Sequence, residues 1–174
     1  MVNIVYKKKG LKINAVWFCN DIDKLINMTN ADIVFLHDVN FNKYKSSAIK
    51  KQYSLQTDLR MSPEEIFMSF SKNYRYEINR ARKEDIKCIV YKSNDLENNI
   101  YLLNEFKKEY DDFVNLKKIK NAYNKLAMNQ YIKTNSVMLT KAFRNDINYA
   151  QHIYVCDEKN VRLLYSVSNF RTRG

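Results

Sequence analysis

Two side chains in the sequence carry an ordinary pKa near neutrality, His37 and His152, and any proton transfer at pH 7 looks first to them. The segment around His152, "AQHIYVCDEKNVRLLYSVS", reads as two strands joined by a short turn. If Asp157–Asn160 is a four-residue loop between directly paired ends, Cys156 faces Val161 and, counting back, His152 faces Tyr165. His152 then shares a face with Ala150, Tyr154 and Cys156. A histidine so placed is either a hydrogen-bonded structural residue or a general base. His37, beside Asp38 at the end of another apolar run, is the rival. No Ser/His/Asp spacing is recognisable, and Ser166 and Ser168 simply lie on the strand next to His152, so no covalent mechanism is read from the spacing.

The second chemically suggestive stretch is "SKNYRYEINRARKEDI", Ser71 to Ile86. On a helical wheel Lys72, Arg75, Asn79, Arg82 and Lys83 fall opposite Tyr74, Ile78 and Ala81, which is either a solvated cationic face or a grip for an anion. Asn73, Glu77, Arg80 and Glu84 form a third stripe at the boundary between them. That stripe reads as an i, i+3 and i, i+4 network or as the lining of a cleft.

Composition removes several alternatives. The chain has 174 residues, 45% of them hydrophobic, enough for one globular domain with a real core. Its formal net charge of +11 invites an anionic partner. The same excess of Lys alongside Asn, Ile and Tyr also follows from A- and T-rich codons, so charge alone names no ligand. Cys19, Cys88 and Cys156 are odd in number and far apart, which indicates neither a disulfide framework nor a zinc site, and no metal is expected. A reducing, cytoplasmic setting is the expectation, with no membrane span. Gly10 and Gly174 are the only glycines. A GxGxxG or GxxxxGK[ST] phosphate loop is therefore excluded within the chain.

Periodicity supplies the elements that must position these residues. Ile4–Tyr6 and Ile13–Phe18 read as strands, Asp21–Met28 as a short helix, Asp32–Leu36 as a buried strand and Asn40–Lys51 as loop. Gln52–Leu59 alternates as a half-buried strand. Ser62, Pro63 and Glu65 make a capping box, so a helix starts there, running to about Glu84 with Ile66, Phe67, Phe70, Tyr74, Ile78 and Ala81 packed inward. Ile86–Tyr91 is a strand. Asp95–Phe113 is a helix packing through Ile100, Leu103, Phe106 and Tyr110, and a further helix over Lys118–Tyr131 packs through Ile119, Ala122, Tyr123 and Leu126. A meander of Ser136–Phe143, Tyr149–Cys156 and Val161–Ser168 follows, with turns at "RNDIN" and "DEKN". The order predicts an α+β fold in a single domain, with no doubly wound parallel sheet.

Taken together, a Tyr/Leu-rich run ending in "DL", then "SPEEIFMSFSKNYRYEINRARKEDI", then a strand, two helices and "VMLTKAFRNDINYAQHIYVCDEKNVRLLYSVSNFR" resembles the GNAT-fold acyltransferases of the Fem-like branch, which includes the aminoacyltransferases that build peptidoglycan cross-bridges. The resemblance covers roughly Tyr53 to Arg171 and is most specific at "SKNYRYEINRA" and "LLYSVSNFR". It implies a mixed, mostly antiparallel central sheet flanked by helices. It also implies an N-acyltransferase or aminoacyltransferase that moves an acyl group from acyl-CoA or aminoacyl-tRNA to an amine in cell-envelope or polysaccharide biosynthesis. Under it, Val161–Ser168 is the central strand whose backbone holds the donor and stabilises the oxyanion. Ser166 and Ser168 then lie beside the donor, Val167, Asn169 and Arg171 contribute to its binding, and His152 receives a proton. Lys72, Asn73, Arg75 and Arg80 are implied to meet an anionic substrate or donor phosphate.

The sequence departs from that family in two respects. The cross-bridge enzymes carry two such domains and often a helical arm that are not matched here, which leaves open a single-domain relative acting on a smaller acceptor. The C-terminal part also differs. The pyrophosphate loop, Arg/Gln-x-x-Gly-x-Gly/Ala, is matched in its first half alone by Arg171–Gly174, and the helix and strands that follow it in the family are missing. The expectation is a C-terminally incomplete domain. A different class of function, a non-catalytic basic module binding RNA, tRNA or another polyanion, is supported by the charge and by thirteen tyrosines able to stack on bases.

Overall fold

The computed structural model describes residues 1–39, 48, 50 and 56–169. The chain divides into two compact units, Met1–Asn40 with Cys88–Gly174, and Phe41–Lys87. The α+β expectation holds. The described strands form two sheets, where the sequence suggested one central sheet.

In the first sheet, β1 (Val2–Lys8) and β2 (Leu11–Trp17) pair antiparallel, with Lys8 opposite Leu11. Lys9 and Gly10 both take positive φ, 52° and 83°, the backbone that a two-residue hairpin turn needs and that a glycine adopts without strain. After α1 (Ile22–Met28), β3 (Ile33–His37) joins β2 in parallel.

The second sheet has the order β4-β5-β6-β7, made of β4 (Lys87–Lys92), β5 (Val137–Arg144), β6 (Ile147–Cys156) and β7 (Val161–Ser168). Its turns follow from the sequence. Asn145 and Asp146 both take positive φ, 47° and 61°, as a tight hairpin turn requires. The carboxylate of Asp157 accepts from the backbone N–H groups of Lys159 and Asn160, which closes the β6–β7 turn.

Between β4 and β5 the chain forms α4 (Ser93–Asn98), α5 (Ile100–Lys117) and α6 (Lys125–Lys133). Ser93 takes up both backbone groups of Val137, donating to its carbonyl and accepting from its N–H, and so ties the start of α4 to β5. Phe106 and Leu96, both fully buried, sit in one core cluster with Ile4 of β1, Met128 of α6, and Leu139 and Ile153 of the second sheet. Trp17 donates to the Tyr131 hydroxyl at 2.7 Å, and Asn124 donates to the Tyr6 hydroxyl at 3.1 Å, which fixes α6 to the first sheet.

Several expected elements differ. The single helix over Pro63–Glu84 is two, α2 (Pro63–Ser69) and α3 (Lys72–Lys83). The capping box at Ser62 and Glu65 forms as read, but Phe70 leaves the helical region at ψ 150° and Ser71 starts a new helix by accepting from the Tyr74 N–H. No residue of either helix is buried, and Tyr74, expected inward, is 70% exposed. The helix expected from Asp95 breaks at Asn99, leaving Ile100 exposed; Leu102, Leu103, Phe106, Tyr110 and Val114 carry the packing of α5. Lys118, in the left-handed region at φ 53°, ends α5, so α6 begins at Lys125 and not at Lys118. Ile119 and Leu126 are consequently exposed, while Ala127, Met128, Tyr131 and Ile132 are buried. Of the strand expected over Gln52–Leu59, residues 52–55 lie outside the described residues, and 56–59 are not strand. The loop expected over Asn40–Lys51 also lies almost entirely outside them.

Candidate functional site

The site expected from the sequence lies on the β5–β6–β7 meander. Cys156 pairs with Val161, as the turn length dictates, but the ladder shifts between Tyr154 and Ile153. Tyr154 pairs with Leu163 and Ile153 with Tyr165, so Leu164 is an extra residue on β7, a β-bulge. The expected pairing of His152 with Tyr165 is thereby corrected: His152 pairs with Ser166. The reason is visible in the side chains, because Leu164 and Tyr165 both pack against the core, which a regular two-residue alternation forbids.

The bulge brings two of the expected catalytic residues side by side. Thr140 of β5 lies directly across from His152 on its other side, so Thr140, His152 and Ser166 form one polar row over three strands. In the next row Ser168 lies opposite Ala150, and Ala150 opposite Ala142, all small residues. In the preceding row Tyr154 sets its ring edge-on to the imidazole, with centroids 6.1 Å apart. His152 is half-buried, and its Nδ1 is enclosed without a hydrogen-bond partner. Burial pushes its pKa below the ordinary 6.5, so the ring is neutral at pH 7 with a lone pair to offer. Among the described residues no strand pairs with the outer edge of β7, the edge on which Ser166 lies.

The other expected residues are placed differently. Val167 is fully buried opposite Gln151, so its side chain belongs to the core and only its backbone could meet a donor. Asn169 donates its side-chain N–H to Glu109 at 3.1 Å and to the Asn148 carbonyl at 3.3 Å. Arg171 lies outside the described residues. Lys72, Asn73, Arg75 and Arg80 all lie on α3, in the other compact unit. The Arg75 guanidinium donates to the carbonyls of Met68 and Phe70, closing the C-terminal end of α2. Arg80 bonds Glu84 at 2.8 Å with Glu77 at 3.9 Å, so the third stripe is an intrahelical ion-pair network. Lys72 and Asn73 are exposed. His37 is in the first sheet, stacked on Trp17 at 4.2 Å, and burial lowers its pKa too.

One polar cluster was not anticipated. Glu105 and Glu109, one turn apart on α5, meet Lys141, Asn148, Gln151 and Asn169. Lys141 reaches both Glu105 oxygens, at 3.0 and 2.8 Å, with its side chain only 12% exposed. Asn148 bridges the two glutamates at 2.8 and 3.0 Å, and Gln151 donates to Glu109 at 2.7 Å. The signal was present: a glutamate pair at i, i+4 beside Phe106 and Tyr110, and a glutamine alternating with Ile153 and Val155 on the inward face of β6. The cluster clamps α5 to the sheet, and its acceptors are matched by donors from three amides and one ammonium.

Among the described residues no helix is long and apolar enough to cross a membrane, and no group of three or more His, Cys, Asp or Glu is arranged to hold a metal ion. In comparisons with known proteins, no family model and no curated protein matches the chain.

Proposed function

We propose that the chain acts as an N-acyltransferase or aminoacyltransferase, moving an acyl group from acyl-CoA or aminoacyl-tRNA to an amine. The observation that carries this reading is the His152–Ser166 pair beside the β7 bulge, with an imidazole nitrogen enclosed and unpartnered. The amine attacks the acyl carbonyl, a C–N bond forms, and the C–S bond of a thioester or the C–O bond of an aminoacyl ester breaks. Neutral His152 takes the proton that the amine sheds and returns it to the leaving thiolate or alkoxide. Backbone N–H groups at the edge of β7 that no described strand pairs with are suited to the oxyanion, with the hydroxyls of Ser166 and Ser168 alongside. A cell-envelope or polysaccharide amine as acceptor rests on the Fem-like resemblance alone.

Turnover tests it. Thiol release from acetyl-CoA, and amide formation from aminoacyl-tRNA, are measured against a panel of amines including amino sugars. His152→Gln is expected to lower turnover by about 10²-fold or more with the circular dichroism unchanged. Unchanged turnover in that variant removes His152 from the chemistry.

A second reading is favoured by one observation: Tyr74 and Tyr76 are 70% and 64% exposed on a helix that also presents Lys72, Arg82 and Lys83. Exposed aromatic rings among cations suit a single-stranded nucleic acid. RNA binding that weakens steeply with salt and is lost in Tyr74→Ala/Tyr76→Ala, without any acyl turnover, selects this reading over the first.

A further inference from the structure

Ile100 and Leu126 were expected in the core and are instead 56% and 45% exposed. Both line one groove of about 330 Å³, whose lining also includes Leu96, fully buried, and Ile132, 8% exposed. The groove thus joins apolar side chains of α4, the start of α5 and α6 with a polar rim that includes Asn129 and Gln130. An isolated exposed leucine is ordinary on a protein surface, but two large exposed apolar side chains lining one groove give it an apolar stretch.

Charge defines what could fill it. Lys7 of β1 and Lys133 in the last turn of α6 line the same groove, and Glu97 is the one acid among the lining residues. Neither lysine takes part in an ion pair among the described residues. Two unpaired ammonium groups beside an apolar trough complement a molecule with an anionic head and an apolar body. We propose that this groove binds a small amphipathic carboxylate, its chain between the exposed Ile100 and Leu126 and against the edge of Ile132, its head held by Lys7 and Lys133. No lining residue lies on β5, β6 or β7, so the proposal stands whether or not His152 performs acyl transfer.

Decanoate is the probe, titrated into the full chain and followed by calorimetry and amide chemical shifts. The expected result is one saturable site whose shifts centre on the groove residues, with decanol at least about tenfold weaker because it lacks the charge. Lys7→Glu/Lys133→Glu is expected to weaken decanoate by about tenfold or more, and as both lysines are exposed the fold should survive the change. Leu126→Asp, at another exposed position, should remove binding through the apolar contact instead. Absence of saturable binding, equal affinity for decanoate and decanol, or an unchanged affinity in the charge-reversed variant overturns the proposal.

Discussion

The two faces of β6 are built to different specifications. Inward, Gln151, Ile153 and Val155 are fully buried, and the one polar side chain among them, Gln151, donates its N–H to Glu109 while its Oε1 is left without a partner. Outward, Ala150, His152, Tyr154 and Cys156 are only half-buried, and the polar row of Thr140, His152 and Ser166 contains an enclosed nitrogen without a partner. An unpartnered polar atom thus occurs on both faces, and what sets the outward one apart is that it belongs to a half-exposed side chain able to carry a proton. From Ala150 to Cys156 the strand therefore separates two constraints by the parity of its residues: even numbers carry the candidate chemistry, odd numbers the packing.

If that division is correct, substitutions on the two sides fail in different assays. The largest effect is expected at Phe106, fully buried in the inward core: Phe106→Ala should cost about 3–5 kcal/mol in urea unfolding. A cost below about 1 kcal/mol would mean that α5 does not pack there. His152→Gln should show the converse pattern, with unfolding shifted by less than about 1 kcal/mol and turnover reduced about 10²-fold. A large stability loss with residual turnover would assign His152 to packing and erase the distinction between the faces. Glu109→Ala comes next, at about 2 kcal/mol, because it leaves the N–H groups of Asn148, Gln151 and Asn169 without their shared acceptor. A neutral result would show that the amides find other partners and that the clamp is not a stability element.

The smallest effect is in the pH dependence. His37 and His152 both have pKa values lowered by burial, so the unfolded chain binds protons before the folded one does. The stability they contribute is complete above pH 6.5 and is lost as pH falls from there through their folded values. His152→Gln should flatten that decline in part, with His37 supplying the remainder. An unaltered profile between pH 7 and 5 would mean that His152 titrates as it does in the unfolded chain.

The sequence made some of this legible and hid the rest for physical reasons. Turn chemistry is local, so the turn residues announced the meander, and Asp157–Asn160 also gave its first pair, Cys156 with Val161. The other turn is tighter than the "RNDIN" expected, with Asn145 and Asp146 alone between paired Arg144 and Ile147. Register farther along the strand is not local. One extra residue at Leu164 moved Ser166 opposite His152, and the cue, three consecutive apolar or aromatic residues in "LLY", breaks alternation without saying where the slack is taken up. Helix interruptions were missed because the apolar periodicity runs on through them. Phe70–Ser71 and Asn99 end and restart helices in the backbone while the side-chain pattern continues. The clamp at Glu105 and Glu109 was hidden because glutamates on a helix ordinarily mean solvent, and only the tertiary fold brings Lys141 and three amides to meet them.

The bulge at Leu164 also determines where this strand tolerates a change in length. A one-codon deletion between Tyr165 and Ser168 would shift the residues on one side of the lost position relative to β6 and reverse which way they point. Removing Leu164 itself would instead convert the bulge into a regular ladder in which Tyr154 still meets Leu163 and Ile153 still meets Tyr165. His152 would keep Ser166, at the cost of one partly buried leucine. In a family of such sequences, a single-residue gap is to be looked for at this position, and its members would be one codon shorter with the same two residues still facing each other.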